Sequence, residues 1–487
     1  MTSKLMAKGP VLFLWAMATA EAEPVDFDRD VQPIIATHCL ACHGPDEQAR
    51  KGDLRLDFQE DVFAERDGYR VVDRAHPDRS ELLKRITHQD PDKKMPPPSA
   101  ARDLSTAEIG VLERWVREGG VWEEHWAFRV PVRPGLPGVT DRAWLSNGLD
   151  AFVRNRLEEE GLEPSAPAGK RALIRRVTLG LTGLPPTLEE VEGFLADDSP
   201  EAYGKLVDRL LESPRYGEHM ALAWLDAARY ADTSGYQADW ERHMWPWRDW
   251  VVRALNENMP FDQFTIEQLA GDLLPEATFS QRLATGFNRN HRINDEGGSL
   301  DAEFEVEYVV DRVDTTATVW LGLSAGCARC HDHKFDPISQ KEFYQLYAFF
   351  NNVPEKGIDG RKGAARPFIE VPDERLLSEV GPLKAGLDQL RGDYDRLEDG
   401  EARSDLKKTI EAKEKELKKL ERRSRTQVQV MEEREGEPRP TYLLVRGDYR
   451  QPDRSEVLTP ALPGVFGELP EKEAADRLSL ARWLTGG

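Results

Sequence analysis

Two pentapeptides place reactive side chains at one fixed spacing: Cys39-Leu40-Ala41-Cys42-His43 and Cys327-Ala328-Arg329-Cys330-His331. Together they use all 4 cysteines of the 487 residues. With only 10 histidines in the chain, chance would give even one Cys-x-x-Cys-His about 5 times in 10,000. Thiols three residues apart lie on one side of a helical turn. Both can bond the vinyl groups along one porphyrin edge, while the adjacent imidazole turns under the ring to ligate the iron. The chemistry this predicts is covalent attachment of haem c at two places. Three rivals are weaker. Disulfides in an oxidising compartment would leave both histidines as coincidence. A redox dithiol should sit beside a βαβ pattern, and none is visible. Zinc would need a fourth ligand at each pair, with no further cysteine to supply it.

The remaining axial positions can be searched by residue type. Met95 lies in Lys94-Met95-Pro96-Pro97-Pro98, where prolines stiffen the loop and a thioether could reach the open face of the first iron. For the second iron, His331 is proximal by position. His333 follows it by two residues, and on a helix would point elsewhere. His291, in the polar stretch Asn288-Arg289-Asn290-His291-Arg292-Ile293-Asn294, is the preferred distal ligand, with His243 second. A five-coordinate iron with an open position is the alternative.

The elements that must position these groups are mainly helical. Lys4 and Lys8 precede a short apolar run, Val11 to Ala18, and two A-x-A sites follow, so residues 1–22 read as an export signal. Residues 25–128 read as a cytochrome c-like domain. One helix, Phe27 to His38, delivers the chain to Cys39. Another, Leu104 to Glu118, starts with Ser105 and Glu108 as a capping box and shows Ile109, Leu112 and Val116 on one face. A Pro/Gly-rich linker fills 129–140. Residues 141–355 read as a larger helical domain holding the second motif, with Trp240, Trp245, Trp247 and Trp250 as core. Residues 375–425, rich in Leu, Glu, Lys and Arg, read as a coiled-coil-like helical hairpin broken at Gly400. Residues 426–487 carry short strands and read as the start of a truncated C-terminal domain.

These motifs resemble a known family. Phe27-Asp28-Arg29-Asp30-Val31-Gln32-Pro33-Ile34, the run Cys39 to Asp46, Gly52 to Asp57 and Met95 to Pro98 are similar to the planctomycete-type cytochrome c domain. Leu181-Thr182-Gly183-Leu184-Pro185-Pro186 and the run Cys327 to Pro337 resemble the helical domain that follows it in large secreted proteins. The resemblance implies haem binding in an extracytoplasmic setting, periplasmic or at the cell surface. It implies no substrate.

Charge narrows the function classes. A net charge of -22 makes nucleic acid or an anionic membrane a poor partner and suits a basic redox protein. No segment after the leader has about 18 unbroken apolar residues, so no transmembrane span is expected in the mature chain. The leading expectation is a secreted dihaem cytochrome that transfers electrons to or from a redox partner protein. The alternatives are a peroxidase-like or substrate-oxidising enzyme at the second haem, where Asp295/Glu296 and Asp301/Glu303 could supply protons, and a structural surface module. Nothing in the sequence sets the oligomeric state.

Overall fold

The computed structural model describes residues 24–44, 49–100, 102–123, 126–236, 238–361, 363, 365–470 and 475–486. The expected leader, 1–22, lies outside them. The architecture is mainly helical with small two-stranded sheets, and it divides into two compact units, Met1–Pro131 and Val132–Gly487.

In the first unit a π-helical turn, Phe27–Val31, runs into α1 (Gln32–His38) and α2 (Leu40–His43). Then come α3 (Gln59–Phe63), the hairpin β1 (Glu65–Arg66) and β2 (Tyr69–Arg70), α4 (Glu81–Ile86) and α5 (Thr106–Arg117). Helix α5 begins where its capping chemistry requires. The Ser105 hydroxyl accepts from the Glu108 N–H, and the Glu108 carboxylate accepts from the Ser105 N–H at 2.7 Å. Its inner face, Leu112, Trp115 and Val116, is buried against Phe27, Val31, Ile34 and Ile35. Each such side chain contributes roughly 1.5–3 kcal/mol of burial. Trp115 packs on Phe27 with ring centroids 5.5 Å apart, and its indole N–H donates to the Val121 carbonyl at 2.7 Å.

The second unit opens with α6 (Gly148–Glu159), α7 (Lys170–Thr182), α8 (Leu188–Ala196), α9 (Ala202–Leu211) and α10 (Pro214–Ala227). It continues through α11 (Trp245–Asn256), α12 (Phe261–Ala270), α13 (Phe279–Ala284), α14 (Asp301–Thr316) and α15 (Gln340–Ala348). Trp247 and Trp250 sit in the core with Phe264 and Phe287, while Trp240 and Trp245 remain at the surface.

Helices α16 (Glu374–Arg396) and α17 (Glu401–Arg423) form a hairpin with Val380, Leu387 and Ile410 buried. Ion pairs Lys384–Glu421 and Arg391–Glu414 cross between the helices. The base of the hairpin is clamped by β3 (Phe368–Pro372) and β4 (Arg425–Gln429), antiparallel with Phe368 opposite Gln429 and Pro372 opposite Arg425. Strands β5 (Thr441–Leu444) and β6 (Pro452–Leu458) and helix α18 (Arg477–Leu484) follow. Met431, Leu444, Leu458, Leu462 and Leu480 share one buried cluster with Phe343, Tyr344 and Phe350 of the helical region, so this last segment completes that core. Buried Arg477 ties it further, pairing with Asp272 at 2.7 Å and with Glu433 at 2.7 Å.

Candidate haem-binding site

The first motif occupies a helical turn whose ends are fixed by backbone bonds. The Cys39 N–H donates to Ile35 at the end of α1, and the Cys42 and His43 N–H groups both reach the Cys39 carbonyl. The carbonyls of Cys42 and His43 accept from the N–H groups of Lys51 and Leu56 at 2.7 and 2.8 Å. The returning chain thus satisfies a helix end that would otherwise be open. A Cβ at Gly44 would collide with the Leu40 carbonyl oxygen, which is why the residue after His43 has no side chain. His43 Nδ1 lies 3.1 Å from the Lys51 carbonyl oxygen. A carbonyl only accepts, so Nδ1 carries the hydrogen and the Nε2 lone pair is free for a metal. Burial lowers the pKa of His43, with the Lys51 bond opposing it, so the imidazole is held in its neutral, metal-binding form.

Cys39, Cys42, His43 and Met95 line one cavity of about 600 Å³. Leu54, Leu56, Val71, Leu82 and Ile86 supply apolar wall, and Lys51, Arg85 and Arg102 supply cationic groups. That volume is ordinary for an organic cofactor. The chemistry also fits a porphyrin: apolar surface for the ring, two thiols for its vinyl edge, and cations for its propionate carboxylates. His38 lies on the cavity wall with Nε2 3.2 Å from Glu108 and a buried Nδ1 that has no partner among the described residues. Burial, reinforced by Cys42, pushes the Cys39 thiol up to about 12. At neutral pH it stays protonated, unlike the low-pKa thiols of disulfide exchange. A protonated thiol suits addition across a vinyl group, which joins sulfur to one carbon and hydrogen to the other and releases nothing. The four cysteines form no disulfide.

The second motif sits in a more open place. Ala325–Arg329 form a 3-10 turn that leaves Cys327, Cys330 and His331 exposed. Its start is pinned by Asp314 of α14, which accepts the Gly326 N–H at 2.9 Å. Its middle is pinned through Arg329, whose guanidinium pairs with Glu307 and whose carbonyl accepts from Gln340 and Tyr344 of α15. His331 repeats the arrangement of His43: Nδ1 lies 2.6 Å from the Asp332 carbonyl oxygen, leaving Nε2 free. His333 is buried and spent. Its Nδ1 accepts the Phe335 and Asp336 N–H groups, and its Nε2 is 3.4 Å from the Ser324 hydroxyl.

Residues 39–99 match the family described as planctomycete cytochrome C, and residues 148–355 match PSCyt2, described as a protein of unknown function (DUF1549). The first unit is therefore similar, over residues 39–99, to the planctomycete cytochrome c domain. No curated protein matches the chain, and no solved structure does. The cytochrome c domain implies covalently bound haem c. The matched residues hold the motif and Met95, while the helices that enclose them, α1 and α5, extend the domain on both sides.

Within the PSCyt2 domain, His291 is placed differently from the distal ligand anticipated for it. Its Nε2 is 2.9 Å from Arg312 Nη2, and Arg312 can only donate. Its Nδ1 lies 2.9 Å from the Arg292 carbonyl oxygen. Both ring nitrogens are therefore engaged and none is left for iron in this arrangement. Burial, with Arg312 and Arg289 beside it, holds the pKa of His291 well below the ordinary 6.5, so its 3.9 Å approach to Glu355 is no ion pair. His291 stacks on Tyr308 within a fully buried set, where Glu355 takes Arg289 at 2.5 Å and both terminal nitrogens of Arg312. Arg242 donates to the carbonyls of Arg289, Asn290 and His291 and fixes the whole loop. The stretch looked like an open polar loop because nothing in one sequence shows that its charges meet Glu355. His243, the second choice, is exposed beside α11.

Proposed function

We propose that the chain is an exported c-type cytochrome that carries two haems and passes single electrons to or from a redox partner protein. The observation that carries this reading is the cavity of about 600 Å³ shared by Cys39, Cys42, His43 and Met95. Bound there, haem supplies an iron that alternates between ferrous and ferric states. Cys39 and Cys42 would hold it by thioethers, His43 would supply Nε2 as a ligand with the Lys51 carbonyl orienting its imidazole, and Met95 would supply a thioether sulfur as the second ligand. A thioether ligand favours the ferrous state and raises the potential. The apolar wall would exclude water, and the cations Lys51 and Arg102, with Arg85 already paired to Glu81, would balance the propionates. At the second site Cys327 and Cys330 would attach the haem and His331 would supply the ligand nitrogen Nε2. Among the described residues no helix is long and apolar enough to cross a membrane.

Because His291 is occupied, the second iron has no assigned distal ligand. That observation favours a second reading, in which its sixth position binds small molecules and the site acts as an oxidoreductase. One experiment separates these readings. The chain is produced with a c-type haem maturation system, haem per chain is measured by mass, and the reduced spectrum is recorded with and without carbon monoxide. Two haems and no response support the electron carrier. Two haems with one responding support the oxidoreductase. A single haem removed by Cys39→Ala/Cys42→Ala would reject the dihaem reading.

A further inference from the structure

The turn Val445–Gly447 between β5 and β6 lies outside the residues that match PSCyt2, yet it packs on the second motif. Arg329, between the two cysteines, donates from Nη2 to the Gly447 carbonyl at 3.2 Å. The Gln340 side-chain amide donates to the Arg329 carbonyl at 2.9 Å and to the Leu444 carbonyl at 3.0 Å, so one group ties the motif to β5. Gly447 is buried, with φ of 71°. A Cβ there would stand 2.8 Å from Cys330 Sγ and 3.1 Å from the Arg329 side chain. Bare backbone therefore lies against the sulfur, and any other residue would push the turn away or strain it. Ala325 and Ala328 anchor the motif in the same buried cluster as Leu444 and Leu458.

We propose that the second haem site is composite. The helical domain supplies the thiols and imidazole, while the turn 445–447, set in place by Gln340, walls the Cys330 side and limits the water that reaches the haem. This rests on the two-haem reading above. Excluding water disfavours the extra positive charge of the ferric state, so the wall raises the potential of that haem. Gln340 and Gly447 are positioning residues: they act on the haem through Arg329 and Cys330.

The test uses the full haem-loaded chain and two variants, Gly447→Val and Gln340→Leu, in an optical redox titration. The expected result is that one of the two midpoint potentials falls in each variant while the other stays at the wild-type value. In the haem-free chain, Cys330 should be alkylated several-fold faster in Gly447→Val, with Cys327 unchanged. Should Gly447→Val not fold, Gln340→Leu carries the same comparison, since it cuts the tie without adding strain at φ of 71°. Two haems with unchanged midpoints, or an unchanged Cys330 rate, would overturn the composite site. A wild-type chain with one haem would instead overturn the two-haem reading and this inference with it.

Discussion

At the scale of single residues, the histidines sort by what holds their second nitrogen. His43 and His331 each give Nδ1 to a backbone carbonyl and keep Nε2 free, whereas His291 and His333 have both nitrogens engaged. Nothing in a Cys-x-x-Cys-His string reveals those carbonyl partners; the motif proposes His43 and His331 by position alone. Met95 is proposed as a ligand from its Pro-rich loop, and it lines the same cavity as the motif. Met95→Ala should leave haem attached but remove the sulfur-to-iron charge-transfer band and lower the first midpoint potential; an unchanged band would mean another sixth ligand. His291 carries a different expectation. Its folded pKa is depressed, so below about pH 6.5 the unfolded chain takes a proton that the folded chain refuses. Stability is full above that pH and falls by about 1.4 kcal/mol per unit below it, until the folded pKa is reached. Urea unfolding between pH 8 and 5 should show a shallower acid loss in His291→Asn than in the wild type, and parallel profiles would refute this. Glu355 acts lower on the scale. Burial alone would raise its pKa, but Arg312 and Arg289 outweigh it and hold it below 4.5. Its contribution is thus lost only as pH falls from about 4.5 through that depressed value.

Elements were legible where local chemistry decides them. The Ser105–Glu108 capping box marks the start of α5 because it is a contact between residues three apart. The hairpin over 374–423 followed from apolar residues three and four apart and from Gly400, which now precedes α17. What stayed hidden is the clamp beneath it. The pairing of β3 with β4 joins segments on either side of the whole hairpin, and strand β6 has an almost wholly exposed pattern that alternation cannot detect. The clamp leads to an expectation: since Pro372 and Arg425 are already opposite each other, replacing 373–424 with an Asn-Gly turn should leave the helical core and the haem spectra unchanged. Circular dichroism would show only the loss of two helices. A simultaneous change in sedimentation would assign the hairpin to assembly.

Across the whole molecule, the division at residue 131 falls in a stretch with Val130 and Val132 each 85% exposed. Mild trypsin treatment should cut there and release a fragment carrying the first haem with its spectrum intact; a first haem that changed on cleavage would show that the units depend on each other. The Pro/Gly composition of 129–140 reads as a linker, and the division into two units falls within that stretch. The last segment was harder. Its strands and α18 suggested the beginning of something separate, while Arg477, Leu480 and Met431 are buried with residues of the helical region. Contacts across two hundred residues leave no trace in local pattern.

The ion pair of Arg477 with Asp272 spans 205 positions of the chain. The first unit holds its own contacts within 131 residues and can finish folding while the remainder is still being synthesised. The second cannot shut its core until α18 has left the ribosome, and until then Asp272 waits in a half-built pocket without its cation. The order of assembly is thereby written into the topology: a first unit that closes on its own residues, and a second that stays open until α18 is in place.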